Sequence, residues 1–181
     1  KMRNFLFSAV GSLALLSAMT FTSCKEDRCK SVVCANSGAC NDDGSCSCQV
    51  GYEGERCETI SRDKFKGVWG VAEAGSSTGP ISYTCAVEDG ASIDQVEIRN
   101  FYNLFDATVK ANVKGDTLYI PLQDLADGED IKKIEGKGHI DIEGYYGLQG
   151  RLILRYRVQS SDGSINNFGM SGADNPSIWT K

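Results

Sequence analysis

Residues 107–120 read ATVKANVKGDTLYI, and this stretch decides the fold of the larger part of the chain. Small apolar residues occupy every second position of its first half, and Thr, Lys and Asn fill the positions between them. A period of two is typical of a β-strand that buries one face and exposes the other. Gly115-Asp116 then turns the chain before Leu118 and Ile120 resume the alternation, so the stretch predicts a β-hairpin.

The same alternation recurs on both sides of this hairpin. Further strands are predicted near 65–74, 81–88, 95–99, 134–142, 151–158 and 176–180. One helical turn is expected near Leu122 to Ala126. About eight short strands at regular spacing predict a mainly β domain over residues 61–181, built as an antiparallel β-barrel or as a β-sandwich.

Charge and cysteine content narrow the class of protein. The 181-residue chain has a formal net charge of -5, and its Lys and Arg residues are scattered. Phosphate binding requires clustered basic residues, so a nucleic-acid partner is not expected. Of the 8 cysteines, all except Cys85 fall between Cys24 and Cys57. Such density indicates an oxidising compartment or a metal site.

The N-terminus has the pattern of a secretory signal. Lys1 and Arg3 precede an apolar run from Phe5 to Phe21 that contains several small residues. A basic start, an apolar run and small residues near its end predict a signal peptide over residues 1–23, which is cleaved. The alternative is a retained membrane anchor, which the shortness of the run disfavours.

The residues after this run resemble a bacterial lipobox. Phe21-Thr22-Ser23-Cys24 is similar to the relaxed form found in lipoproteins of Bacteroidota, and Lys25-Glu26-Asp27 is similar to their signal for export to the cell surface. The resemblance implies that Cys24 carries the lipid, that residues 24–28 form a tether and that the protein faces outward from the outer membrane. Two or more acyl chains hold a protein stably on a membrane. The alternative is that Cys24 is an unmodified thiol.

Six cysteines follow the spacing C-x4-C-x5-C-x5-C-x-C-x8-C, with Gly51-Tyr52 and Gly54 before the last of them. Spacing alone allows about fifteen pairings. The pattern resembles an EGF-like domain over residues 29–58. That resemblance implies three disulfides: Cys29 with Cys40, Cys34 with Cys46, and Cys48 with Cys57. Each closes a short loop, which stabilises the fold by roughly 2–3 kcal/mol in the chain-entropy model.

Metal sites are not expected in this segment. Structural zinc sites present C-x2-4-C pairs or histidines, and the segment has neither a C-x2-C pair nor a histidine. Calcium-binding EGF-like domains carry acidic residues ahead of the first cysteine, where only Asp27 fits. Asp42-Asp43 is expected to be a solvated turn, because an acidic pair lacks the six to eight oxygens that calcium prefers.

The start of the larger domain resembles another family. Phe65-Lys66-Gly67-Val68-Trp69 is similar to the F-x-G-x-W opening of lipocalin-type (calycin) first strands. The resemblance implies a barrel in which Trp69 plugs one end beneath a late-strand arginine, here Arg155 or Arg157. The domain as a whole is similar to barrel domains of Bacteroidota surface lipoproteins. The β-sandwich, with Trp69 as an ordinary core residue, stays open.

No catalytic constellation is evident, so catalytic residues, metals and cofactors are all expected to be absent. His139, the only histidine, falls on the exposed face of its strand by alternation. Cys85 alternates with Tyr83 and Val87 and is expected to be a small buried residue rather than a nucleophile. Gly136-x-Gly138 within a strand pattern favours a bend or bulge over a phosphate loop.

Two aromatic clusters are candidates for ligand contact. Tyr145-Tyr146 lies between glycines, and Asn100-Phe101-Tyr102-Asn103 is the second cluster. Aromatic side chains at loop tips stack on sugars or anchor partners. The alternative is that these tyrosines cap the core.

The sequence therefore predicts a non-enzymatic binding module held on the membrane, with a glycan, a protein or a small apolar ligand as its partner. The first alternative is a lipocalin-like carrier that takes a small apolar ligand into the barrel. A hydrolase built on paired carboxylates is the second alternative, since 24 acidic residues always offer pairs; Asp127, Glu129 and Asp130 share one loop, which is expected to be a solvated charged loop. An open cavity under Trp69 would favour the carrier, and a filled interior would favour the binding module.

Overall fold

The computed structural model describes residues 27–104, 108–141, 150–172 and 174–181. The predicted signal peptide, Cys24 and Tyr145-Tyr146 lie outside the described residues. Within the described ranges, no helix has both the length and the apolar character needed to cross a bilayer.

Strands dominate the described chain. The short strands of the N-terminal part are β1 Ala39–Cys40, β2 Cys46–Ser47, β3 Tyr52–Glu53 and β4 Thr59–Ile60. The strands of the larger part are β5 Gly67–Ala74, β6 Pro80–Asp89, β7 Gln95–Arg99, β8 Thr108–Lys114, β9 Thr117–Asp127, β10 Asp130–Asp141, β11 Arg151–Gln159, β12 Ile165–Phe168 and β13 Ser177–Thr180. Short 3-10 helices span Arg28–Ser31, Ser61–Lys64 and Phe101–Asn103.

The larger part is a closed antiparallel β-barrel. Its strands pair in the order β10-β9-β8-β7-β6-β5-β13-β11, and pairing between β10 and β11 closes the ring. Strands β12 and β13 share one edge of β11, β12 along its last three residues and β13 along its first four. The predicted mainly β class and the barrel architecture are confirmed, and the β-sandwich is excluded.

Side chains fill the barrel interior. The alternating residues of each strand point inward and form one core, whose largest fully buried members are Trp69, Trp179, Tyr156, Phe65, Phe101 and Phe168. Phe168 stacks on Tyr156 with ring centroids 4.3 Å apart, and Phe101 meets Tyr156 edge-on at 4.9 Å. An eight-stranded barrel is just wide enough for side chains to fill it, and these aromatics do so.

Strand β9 replaces the helical turn that the sequence predicts at 122–126. Ile134 pairs with Gln123 and Gly136 pairs with Ile120, so β9 has one extra residue at this point, which is a β-bulge. The bulge shifts the inward face by one position. Leu122 is therefore 64% exposed while Leu125 is buried. The apolar residues at 122–126 are irregularly spaced because the bulge interrupts the alternation, and not because the segment is helical.

Two glycines allow close contact between β10 and β11 where the ring closes. A Cβ at Gly136 would lie 2.6 Å from Cβ of Tyr156, and a Cβ at Gly138 would lie 2.9 Å from Cδ1 of Leu152. At Gly136 the nearest atoms are fixed, and at Gly138 the leucine methyl groups would have to move. The bulge predicted around Gly136-x-Gly138 lies on the partner strand β9. The two glycines allow β10 and β11 to approach closely where the barrel closes.

The N-terminal part, which we call the cysteine module (Cys29–Cys57), is held by three disulfides. They join Cys29 to Cys40, Cys34 to Cys46 and Cys48 to Cys57, the same pairs that the resemblance implies. In a module of this size most side chains stay partly exposed, and the disulfides replace a hydrophobic core.

The cysteine module contacts one end of the barrel. Lys64 forms ion pairs with Glu53 of β3 at 2.6 Å and with Asp116 of the β8–β9 turn at 2.5 Å. Gly51, with φ +87, lies against Ile93, where a Cβ would be 2.5 Å from the Ile93 side chain. The close approach requires glycine at this position.

Candidate ligand-binding site

The end of the barrel that contacts the module is closed. Trp69 is fully buried there, and its Nε1 donates to the carbonyl oxygen of Phe65 at 2.7 Å. The Nζ atom of Lys181 lies 4.4 Å from the centre of the Trp69 ring and donates to the carbonyl oxygens of Lys64 and Lys66. The indole thus plugs this end, and a lysine covers it through a cation–π contact.

The predicted arginine cover is wrong. Arg155 and Arg157 point out of the barrel, because β11 directs Leu154, Tyr156 and Val158 inward. Arg155 pairs with Asp174 at 3.0 Å, and Arg157 pairs with Glu135. Lys181, at the end of the chain, takes the position beside the Trp69 ring.

At the opposite end, strand β5 directs a carboxylate into the barrel. Trp69, Val71 and Glu73 follow one another on its inward face. Glu73 lies about 13 Å along the strand from Trp69, at 3.3 Å per residue. Its exposed fraction is only 6%. The barrel therefore has an apolar plug at one end and a buried acid at the other.

Three hydroxyl groups surround the Glu73 carboxylate. Tyr83 donates to Oε1 at 2.8 Å. Tyr156 donates to Oε2 at 2.9 Å, and Ser177 donates to the same oxygen at 2.6 Å. Trp179 supports this arrangement, because its Nε1 donates to the Ser177 hydroxyl at 2.8 Å. The donors come from strands β6, β11 and β13, so the register of the whole barrel places them.

The Glu73 carboxylate has neutral neighbours. Burial raises its pKa, and the hydrogen bonds from Ser177, Tyr83 and Tyr156 oppose that rise without cancelling it. Burial likewise raises the pKa of Tyr83, Tyr156 and Cys85, so all three stay neutral near pH 7. Among the described residues, no Lys or Arg balances the charge of Glu73. The isolated negative charge is costly inside a protein.

A pocket of about 480 Å³ opens beside Glu73. Its wall combines the carboxylate with apolar and aromatic side chains, namely Ile81, Tyr102, Leu104 and Phe168, and with the segment 78–80. Small-molecule sites typically occupy roughly 300–1,000 Å³ and combine apolar walls with a few polar groups. This pocket meets both criteria.

Tyr102 forms the rim of the pocket in an unusual backbone conformation. Its φ is +58°, and Asn100 and Asn103 also have φ of +58°. Asn and Asp adopt this left-handed region more readily than tyrosine does. Asn166 holds the rim by donating to the Tyr102 hydroxyl at 2.9 Å, and the Tyr102 ring meets Phe168 edge-on at 5.9 Å. The strained backbone places an aromatic ring over the pocket.

The other candidate residues lie away from this pocket. Cys85 is 1% exposed, and its thiol donates to the Asn100 carbonyl at 3.3 Å, which confirms it as a small buried residue. His139 is exposed on the outer face of β10, as predicted. Asp127 and Asp130 both pair with Lys132 at the surface. In the described ranges, no group of three or more His, Cys, Asp or Glu residues is arranged to hold a metal ion.

Sequence reasoning missed Glu73. The sequence does indicate that Glu73 is buried, because the alternation that buries Trp69 and Val71 also directs Glu73 inward. A charged residue in register with a core face is uncommon and marks either an ion pair or a site.

Comparison with protein-family models, with curated proteins and with solved structures gives no match for this chain. The candidate site therefore stands on its own geometry.

Proposed function

We propose that the protein is an exported, membrane-anchored binding protein that takes its ligand at the open end of the β-barrel and catalyses no reaction. The observation that supports this most directly is the pocket beside Glu73, a buried carboxylate without a charged partner among the described residues. The rest of the barrel interior is filled with side chains. A filled interior favours the binding module over a carrier that takes an apolar ligand deep into the barrel.

The lack of a catalytic partner supports a non-enzymatic role. Glu73 is the only acidic side chain that lines the described pocket, and glycoside hydrolysis normally uses two carboxylates. Burial raises the pKa values of Tyr83, Tyr156 and Cys85, so these groups stay protonated and are poor nucleophiles. A pocket lined by a single carboxylate therefore suits ligand binding better than glycoside hydrolysis.

The cysteine module is an EGF-like spacer in this proposal. Its cysteine spacing, its glycines and its three disulfides support that assignment. Because the module contacts the closed end of the barrel, the pocket opens at the end away from it. A lipid on Cys24, five positions before Cys29, would then direct the pocket away from the membrane and toward the cell exterior.

Two variants test the site. A Cβ at Gly79 meets no atom within 4 Å, so Gly79→Trp adds a large side chain to the pocket wall without a clash at its first atom. Ser82→Trp adds the same side chain to an exposed position of β6 and is the matched control. Purified exported protein is applied to glycan, lipid and small-molecule arrays. Ligands should bind wild type and Ser82→Trp but not Gly79→Trp, and equal binding to both variants would refute the proposed site.

The anchor has a separate test. Cys24→Ala should release the protein from the membrane fraction and abolish labelling by radioactive palmitate, since the acyl chains hold the protein there. Continued membrane fractionation together with continued labelling would exclude Cys24 as the attachment point.

A further inference from the structure

We infer that the pocket recognises a small organic cation, a protonated amine carried on an aromatic or aliphatic body. The inference rests on the proposed function, because it names the ligand class of the same site. It depends on three features of the pocket: its uncompensated charge, the hydrogen-bonding capacity left on Glu73, and its aromatic wall.

The charge of the site is uncompensated. Tyr83 of β6 and Tyr156 of β11, which donate to Glu73, stay neutral. The Cys85 thiol, whose pKa is raised by burial and by Glu73, also stays neutral, and Ser177 of β13 carries no charge. A ligand with a positive charge would supply the missing counter-ion. An anionic ligand would meet the carboxylate at the pocket wall and is disfavoured by the same argument.

The carboxylate also has room for one more donor. A carboxylate offers about four lone-pair positions, two on each oxygen. Tyr156 and Ser177 donate to Oε2, whereas Tyr83 is the one described donor to Oε1. An ammonium group in the pocket would donate to the free position on Oε1. Hydrogen bonds between charged partners are the strong ones.

The wall beside the carboxylate suits an organic cation better than a metal ion. The rings of Tyr102 and Phe168 and the side chains of Ile81 and Leu104 line it. Aromatic faces attract cations within about 6 Å, and apolar walls bury the body of an organic ligand. A metal ion needs several oxygen, nitrogen or sulfur ligands, and the described pocket has one carboxylate. The site therefore matches an amine with an apolar body.

Three probes of similar shape separate the effect of ligand charge on binding from the effect of ligand size. They are 2-phenylethylamine, which is protonated at neutral pH, the neutral 2-phenylethanol and the anionic phenylacetate. Binding of each to the exported protein is measured by calorimetry, and the contact residues are identified by NMR shifts. The amine should bind at least tenfold more tightly than the alcohol, and phenylacetate should bind most weakly.

Glu73→Gln keeps the shape of the side chain and removes its charge, so it should abolish the preference for the amine over the alcohol. Glu88→Gln, which changes an exposed glutamate on the outside of β6, should leave the preference intact. Gly79→Trp keeps Glu73 and its hydrogen bonds and should block all three probes. It therefore tests the pocket even if Glu73→Gln folds poorly.

The outcomes distinguish the inference from the proposed function. Equal binding of amine and alcohol, or an unchanged preference in Glu73→Gln, overturns cation recognition. If Gly79→Trp still blocks both probes in that case, the pocket remains the binding site. Failure of all three probes to shift resonances of the pocket residues overturns the inference as well. The array experiment with the two tryptophan variants then decides the proposed function independently.

Discussion

Replacement of Gly136 by alanine tests the closure of the barrel. The structure puts Gly136 of β10 opposite Tyr156 of β11, where the two backbones approach so closely that no Cβ fits. A new Cβ would lie 2.6 Å from Cβ of Tyr156 and 2.9 Å from the carbonyl oxygen of Arg155. The nearest atoms are backbone or the first atom of a fully buried ring side chain, so neither can rotate away.

The expected loss of stability follows from these contacts. Overpacking in a dense interior costs about 1–3 kcal/mol, and a clash with rigid atoms belongs at the upper end of that range. A loss of about 3 kcal/mol lowers Tm by roughly 9–18 °C in a domain of about 120 residues. Gly138→Ala should cost less, about 1–2 kcal/mol, because its nearest contacts are the terminal methyl groups of Leu152 and Leu154.

Gly70→Ala is the matched control. Gly70 also lies in a barrel strand, but the nearest atom to its Cβ would be the carbonyl oxygen of Thr180 at 3.6 Å, an ordinary contact. Gly70 does not have a left-handed φ, so alanine should stabilise the protein by about 0.4–1 kcal/mol. Urea unfolding followed by tryptophan fluorescence measures all three variants. If Gly136→Ala is as stable as Gly70→Ala, strands β10 and β11 do not pair in this register.

Three further predictions concern single groups. Glu73→Gln should flatten the pH dependence of stability. Burial raises the pKa of Glu73 above 4.5, so the native state keeps this proton to a higher pH than the unfolded state does. The wild-type free energy of unfolding therefore falls as pH rises from about 4.5 through the raised pKa. Urea unfolding from pH 4 to 8 that shows the same slope in the variant would contradict this. The Cys85 thiol should react with a disulfide reagent at pH 8 only after unfolding, since burial raises its pKa, and rapid labelling of native protein would count against the structure. Replacing both Cys48 and Cys57 by alanine should destabilise the cysteine module by about 2–3 kcal/mol. Amide hydrogen exchange should become faster in the module and stay unchanged in the barrel. Faster exchange throughout the chain would show that the two parts unfold together.

The period-two pattern predicts most of the barrel, because side-chain alternation is a local property. It places His139 outside and Cys85 inside, as found. It also places Arg155 and Arg157 outside, on the face opposite Tyr156. The family resemblance implied that one of these arginines covers Trp69, which conflicts with the alternation, and the alternation was right. Local physical pattern therefore outweighed a five-residue resemblance.

Long-range register is what the sequence does not contain. The bulge in β9 shifts the inward face without a distinctive motif, although Pro121 at that point is a residue that strands tolerate mainly at edges and bulges. Lys181 contacts Trp69, which lies more than a hundred residues earlier in the chain. Alternation predicts that Glu73 points inward, but it cannot predict which hydroxyl groups from three other strands will meet it.

Two unfavourable features meet at the open end of the barrel, and they support the proposal that this end binds a ligand. Glu73 is buried with a raised pKa, so its ionised form is unfavourable in the folded protein. Tyr102 has a left-handed φ of +58°, and for a residue of this type the conformation costs about 1–3 kcal/mol. At the closed end, Trp69 is buried, hydrogen-bonded and covered by Lys181. Glu73 and Tyr102 both line one pocket, and a ligand that places a positive charge beside Glu73 would offset the cost of burying that carboxylate.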